Sequence, residues 1–328
     1  GGPGGGARAV GRARPRAIFQ ASPALCPLDQ DAGGTPMDQV TPVDATANAN
    51  DIYANPPDPD TLELEDGHPG LGDAAYMARR HALFALCRRH RLERLGPPLI
   101  DYLDEEQRIW REVTPKLDEL HRRHASAIYL AAKRALGISE HEIPQLRHLS
   151  DQLRQVTGMH LVPAEGPIPY KTFYSYIAER GFPCTQFLRH GARPEFTPEP
   201  DMVHDCLGHV PPLMDPDYAA LLTLIGRAAS TSTNGDHVLA LKRLSWFSIE
   251  FGLIEEQGET KIFGAGILSS IGEIPYSLSA SVERRPFVTD EVIETDYDWS
   301  KMQDLLFVIP SLPFLRREVE QLVRRFGL

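Results

Sequence analysis

Two histidines five positions apart, His204 and His209, and a glutamate downstream, Glu250, are the residues of this 328-residue chain whose types point most directly to chemistry. Two imidazoles and one carboxylate can hold an iron ion on one face and leave the opposite face open for oxygen and a substrate. That is the recurrent arrangement of non-haem Fe(II) oxygenases. Five residues span roughly 140° around an ideal helix beyond a full turn, so a regular helix cannot aim both rings at one ion. The spacing therefore requires the helix to end or distort near Leu207-Gly208, and Pro211-Pro212 cannot continue it. Glu250 lies in an otherwise apolar run from Leu239 to Phe251, where a carboxylate needs a partner or a metal. Asp201 and Asp205 are candidates to accept the ring N–H groups of the histidines.

Taken alone, a His-x4-His pair among twelve histidines is a weak signal. Two capping or core histidines and a surface glutamate are the plain alternative. Cys206 lies between the pair, so a zinc site of His204, Cys206 and His209, as in a zinc hydrolase, is a competing arrangement.

The elements that must carry these residues are mostly helical. Ala78–Leu95 and Pro144–Thr157 read as helices, the second stopped by Gly158. Residues 105–137 read as helix with a kink or restart at Pro115, because proline removes a helix hydrogen bond. Residues 160–200 alternate prolines and aromatics and read as irregular structure. Val203–Leu207, Tyr218–Ser230 and Val238–Leu253 read as helices, Lys261–Phe263 as a short strand after a Gln257-Gly258 turn, and the stretch from Leu315 to Phe326 as a last amphipathic helix. The fold class expected is mostly α with a few short β-strands.

Residues 1–75 differ in composition: Gly-Gly-Pro-Gly-Gly-Gly opens a stretch rich in Ala, Pro, Asp and Asn with few clustered large hydrophobes. Such a segment buries too little apolar area to offset its ordering entropy, so disorder is the expectation there, with a catalytic domain over 76–328. The first methionine is Met37, which suggests that residues 1–36 are an upstream extension.

A net charge of −11 argues against a general nucleic-acid binder. Cys26, Cys87, Cys184 and Cys206 form no CxxC pair and read as reduced thiols. No run approaches the roughly 18 apolar residues of a membrane-spanning helix. The Arg8–Arg16 cluster is followed by no apolar signal core. The expected compartment is the cytoplasm.

Longer motifs surround the triad. They are Cys184-Thr185-Gln186-x2-Arg189-His190-Gly191, Thr197-Pro198-Glu199-Pro200-Asp201, His204-x4-His209-Val210-Pro211, Trp246-Phe247-x2-Glu250-Phe251-Gly252-Leu253 and Gly264-Ala265-Gly266-Ile267-Leu268-Ser269-Ser270. Together they closely resemble the biopterin-dependent aromatic amino acid hydroxylases over about residues 100 to 310. The layout is that of the single-domain bacterial members that hydroxylate phenylalanine. The resemblance implies a mostly helical catalytic domain that uses Fe(II), a tetrahydropterin such as tetrahydrobiopterin, and O2 to hydroxylate a free aromatic L-amino acid, phenylalanine to tyrosine first among them. Tryptophan 5-hydroxylation, tyrosine 3-hydroxylation and phenylalanine 3-hydroxylation are alternatives within the family. A non-catalytic pterin- or amino-acid-binding protein is one outside it.

Carried over by position, His204, His209 and Glu250 match the iron ligands. Arg189 matches the partner of the substrate carboxylate, with Thr197, Asp201 and Ser269 in the same network. Trp246 and Phe251 match the ring pocket, Phe173 the aromatic that stacks on the pterin, and Glu199 an acid approaching pterin and iron. This chain departs from the family pattern at Asp205, commonly Glu, and at Ser245, commonly Tyr, from which altered coupling of pterin oxidation to hydroxylation is expected. The N-terminal segment does not resemble the regulatory domain of animal members and no long heptad tail follows, so a monomer or weak dimer without substrate-driven activation is expected.

Overall fold

In the computed structural model the described residues are Gly1, Leu64 and 68–328, apart from 167, 196, 198 and 300. By internal contacts the chain divides into Gly1–Asp44 and Ala45–Leu328. The first unit and the expected disordered stretch fall almost wholly outside the described residues. From residue 68 onward the chain is mostly helical with two small sheets, and the mostly α class is the one the helical periodicity predicts.

Helix α1 spans Ala74–Leu92 and starts where the Asp73 carboxylate accepts the N–H groups of Ala75 and Tyr76. Helix α2, Asp104–His124, opens with the Glu106 carboxylate accepting the Leu103 N–H and carries the buried stripe Ile109, Trp110, Val113, Leu117 and His121. That stripe runs through Pro115 without a break. Burial on both sides of the proline outweighs its lost hydrogen bond, and the expected restart falls eleven residues later. There Ser126 caps α3, Ala127–Leu136, which ends on left-handed Gly137. Helix α4 is Leu146–Val156.

Residues 160–185, expected to be irregular, form a compact β1-α5-β2 unit. Strands β1, His160–Ala164, and β2, Gly181–Thr185, pair in parallel around α5, Tyr170–Ala178. The strands are buried at nearly every position, so they show no alternation, and Pro163 and Pro183 mask them further.

Helices α6, Pro216–Thr231, and α7, Gly235–Ser245, are capped by Asp215 and Asn234. Strand β3, Leu253–Glu256, begins at the last residue of the expected helix Val238–Leu253, which in the structure ends with the turn at Trp246–Glu250. It turns through Gln257 and Gly258, both at positive φ, into antiparallel β4, Glu259–Ile262. Short helices α8, Ala265–Leu268, and α9, Glu273–Ser277, precede β5, Glu283–Pro286, α10, Thr289–Glu294, and β6, Leu305–Ile309. The second sheet has the order β4-β3-β6-β5. Helix α11, Leu312–Phe326, closes the chain with its Leu315, Val319 and Leu322 face buried.

Cys87, Cys184 and Cys206 are buried free thiols, as expected; Cys26 lies outside the described residues. Among the described residues no helix is long and apolar enough to cross a membrane.

Candidate metal centre and substrate site

The two histidines sit on one turn of π-helix, His204–His209, in which the Val210 N–H reaches back five residues to the Asp205 carbonyl. Widening the turn by one residue brings positions i and i+5 onto one face, which resolves the spacing by distortion rather than by a helix end. Pro211–Met214 follows as a 3-10 turn. Glu250 is delivered by the same device: α7 passes into a π turn over Trp246–Glu250, closed by a 2.7 Å bond from the Phe251 N–H to the Trp246 carbonyl.

The three side chains converge. His204 Nε2 and His209 Nε2 lie 3.0 Å apart, and the Glu250 carboxylate lies 3.1 Å from His209 Nε2 and 3.9 Å from His204 Nε2. Adjacent ligands around an ion held at about 2.1 Å sit roughly 3 Å from one another, so this donor set fits a divalent transition metal. His209 Nδ1 is buried with no hydrogen-bond partner among the described residues. One donor atom each of His204, Asp205 and His209 also lie within 4.8 Å of one another. The Asp205 carboxylate, however, accepts the Thr185 N–H at 2.6 Å and its hydroxyl at 2.8 Å, whereas Glu250 meets the two imidazoles.

Electrostatics follow this packing. Burial, then the neighbouring His209, lower the His204 pKa to about 4. At His209 burial pulls downward, but the charge and hydrogen bond of Glu250 reverse it and the net shift is upward. Glu250 is shifted down because the imidazoles outweigh its burial. Asp205 is pushed up to about 6 by burial, against the two hydrogen bonds from Thr185.

The expected ring acceptors for the histidines are not the aspartates. His204 Nδ1 faces Ser269 Oγ at 3.0 Å, while Asp201 accepts the His204 backbone N–H. Asp201 is fully buried and also holds Arg189 through two side-chain bonds of 2.9 and 2.8 Å and one backbone bond. Arg189, Asp201, His204 and Ser269 thus form one chain of contacts. The Thr197 hydroxyl donates to the Glu199 carbonyl and shapes the loop before Asp201.

Trp246 and Phe251 bracket the π turn, their rings 4.5 Å apart, and Trp246 stacks on Tyr297 at 4.2 Å. Phe173 meets Phe182 edge-on at 5.9 Å, and Phe182 lies 4.8 Å from the His209 ring. Phe173 is therefore one ring removed from the histidine pair.

Glu199 is placed differently from expectation. Both its oxygens bind the guanidinium of Arg80, which is buried in α1 between the rings of Phe84 and Phe187 at 4.7 and 4.6 Å. A carboxylate so engaged is a structural ion pair, and the acid beside the histidines is Asp205. Arg80, Phe182 and Tyr297 carried no motif by themselves, and Thr185 lay in one with no role attached; only their contacts mark them. In the competing zinc arrangement Cys206 is fully buried, and its thiol is not among the donor atoms gathered at the two histidines. Ser245, where the family commonly has Tyr, has its hydroxyl buried with no hydrogen-bond partner among the described residues.

The family described as biopterin-dependent aromatic amino acid hydroxylase matches residues 51–327. A chloroplastic phenylalanine 4-monooxygenase of Pinus taeda is 40% identical over 219 residues, covering 66% of this chain and 61% of the relative. A tyrosine 3-monooxygenase of Bos taurus is 38% identical over 260 residues, covering 77% and 52%. The chain thus spans between half and about three fifths of the length of these curated relatives. Among solved structures, phenylalanine hydroxylase of Chromobacterium violaceum with bound iron (III) and 7,8-dihydrobiopterin superposes with a TM-score of 0.65 at 29% identity, covering 74% of this chain and 92% of that one.

Proposed function

Because this chain belongs to the biopterin-dependent aromatic amino acid hydroxylase family, we propose that it hydroxylates the ring of a free aromatic L-amino acid, converting phenylalanine to tyrosine with Fe(II), a tetrahydropterin and O2. The observation that carries this reading is the convergence of His204, His209 and Glu250 on one point, 3.0 and 3.1 Å between successive donors. His204, His209 and Glu250 would hold the iron. Bound together, iron and reduced pterin supply the activation of O2 that no protein side chain provides.

The chain's own residues bind and orient. Arg189, its guanidinium plane set by Asp201, is the group for the substrate carboxylate, because a guanidinium meets a carboxylate with parallel hydrogen bonds. Thr197 holds the loop that carries Asp201. Trp246 and Phe251 form the apolar wall for the ring, and Phe173 with Phe182 offers the aromatic surface for a pterin. The wall excludes water and fixes the ring's pose, which is where such a site gains rate. Asp205, rather than Glu199, is the acid placed to act beside the metal. We assign these roles to residues within 76–328, acting as a cytoplasmic monomer; sedimentation of the loaded protein at twice the monomer mass would refute that last point.

The test is an aerobic reaction of Fe(II)-loaded protein and tetrahydropterin with phenylalanine, tyrosine and tryptophan offered separately, the products resolved by mass. para-Tyrosine from phenylalanine is expected. A catechol from tyrosine would instead align the chain with its tyrosine 3-monooxygenase relatives. No hydroxylated product from metal-loaded protein would overturn the reading.

A further inference from the structure

Behind the metal centre lies a buried polar cluster that none of the roles above uses. His121 of α2 and Tyr129 and Lys133 of α3 are all less than a tenth exposed. Lys133 pairs with Asp118 and places its Nζ 3.1 Å from His121 Nδ1. An ammonium can only donate, so Nδ1 accepts and the ring proton resides on Nε2. Nε2 then donates to the Leu268 carbonyl at 2.6 Å. Tyr129, whose hydroxyl lies 3.3 Å from the same Nδ1, spends its single proton on the Leu207 carbonyl at 2.7 Å.

Both receiving carbonyls flank His204. Leu207 lies within the π turn, and the residues four and five beyond it are Pro211 and Pro212, which have no N–H to offer. Without Tyr129 this buried carbonyl would have no backbone donor at helical spacing. Leu268 immediately precedes Ser269, whose hydroxyl meets His204 Nδ1 at 3.0 Å. One cluster therefore pins the backbone that carries the imidazole and the backbone that carries its hydrogen-bond partner.

We propose that Lys133, His121 and Tyr129 form a positioning relay that fixes the orientation of His204 through the Leu207 and Leu268 carbonyls and so sets the metal affinity of the triad. The inference rests on the reading that His204, His209 and Glu250 hold a metal. Burial, and then the Lys133 charge, push His121 down to about 3, so the ring stays neutral and its tautomer stays as assigned.

The relay is tested with the full chain and three variants, H121L, H121Q and Y129F. Leucine removes the bond to Leu268, glutamine offers an amide N–H in its place, and phenylalanine removes the bond to Leu207. Metal affinity is measured anaerobically by competition with a chelator, and ligand geometry from the visible absorption of the Co(II)-loaded protein. H121L and Y129F should bind up to about 10-fold more weakly, below the cost of losing a direct outer partner of a metal ligand because each acts one bond further out, with a shifted Co(II) band. H121Q should recover most of both. Wild-type affinity and spectrum in H121L and Y129F, with only lower melting temperatures, would reduce the cluster to a core feature and sink the proposal. Failure of the wild-type chain to bind one metal would instead overturn the reading of the triad itself. If Y129F does not fold, the H121L and H121Q pair decides alone.

Discussion

The imidazole of His204 has one ring nitrogen for the triad and one for Ser269, and the second contact decides how firmly the first is held. S269A should leave the fold intact and weaken metal binding by about 10–100-fold, measured by chelator competition. His121 allows a test by pH. Its pKa is about 3 in the folded chain against 6.5 as the ordinary value, so between those limits the unfolded chain holds a proton that the folded one lacks. Stability is therefore lost as pH falls through that window. H121Q takes up no such proton, so its melting temperature should decline less than that of the wild type between pH 6.5 and pH 4. Parallel decline of the two would mean that His121 is protonated in the fold.

At the scale of elements, the site depends on two π turns brought against one short helix. A Cβ at Gly208 would lie 2.7 Å from the Ala265 carbonyl oxygen, a contact with α8 backbone that cannot move without displacing Ser269. G208A should cost about 1–3 kcal/mol of stability, the range for overpacking, and should lower metal occupancy in the protein that remains folded. Thermal melts and metal analysis of the same preparation check both. The amphipathic helices were legible from their stripes and caps, α4 and α11 most clearly. The β1-α5-β2 unit was not, because strands buried on both faces lose the alternation that identifies a strand. Pro115 misled for a related reason: local chemistry predicts a break, and the packing of Trp110, Val113 and Leu117 overrides it.

Across the molecule, Arg80 ties the first helix to the loop that delivers Asp201 and His204. Its guanidinium is buried, sits between two rings and is paired with Glu199 over 119 residues of sequence. R80A would strand a mostly buried carboxylate, at a cost of about 3–5 kcal/mol. Adding E199Q removes the uncompensated charge and should return part of the loss, a non-additivity that a double-mutant cycle reads directly. Strict additivity would show that the pair does not act as a unit.

The family, the candidate triad of His204, His209 and Glu250 and the helical class were legible in the sequence because each rests on residue identity and near-neighbour spacing: two histidines, a glutamate in an apolar run, and an arginine with its aspartate. Folding decided which of two acids, Glu199 or Asp205, stands beside the two histidines. Glu199 and Asp205 look equally eligible in a motif, yet one is ion-paired with an arginine far upstream and the other only accepts two hydrogen bonds from a threonine on β2. Folding also chose Ser269 over Asp201 and Asp205 as the partner of His204, and it turned a spacing of five into a shared face by widening one helical turn. Such outcomes depend on contacts between residues distant in sequence, which no local pattern encodes.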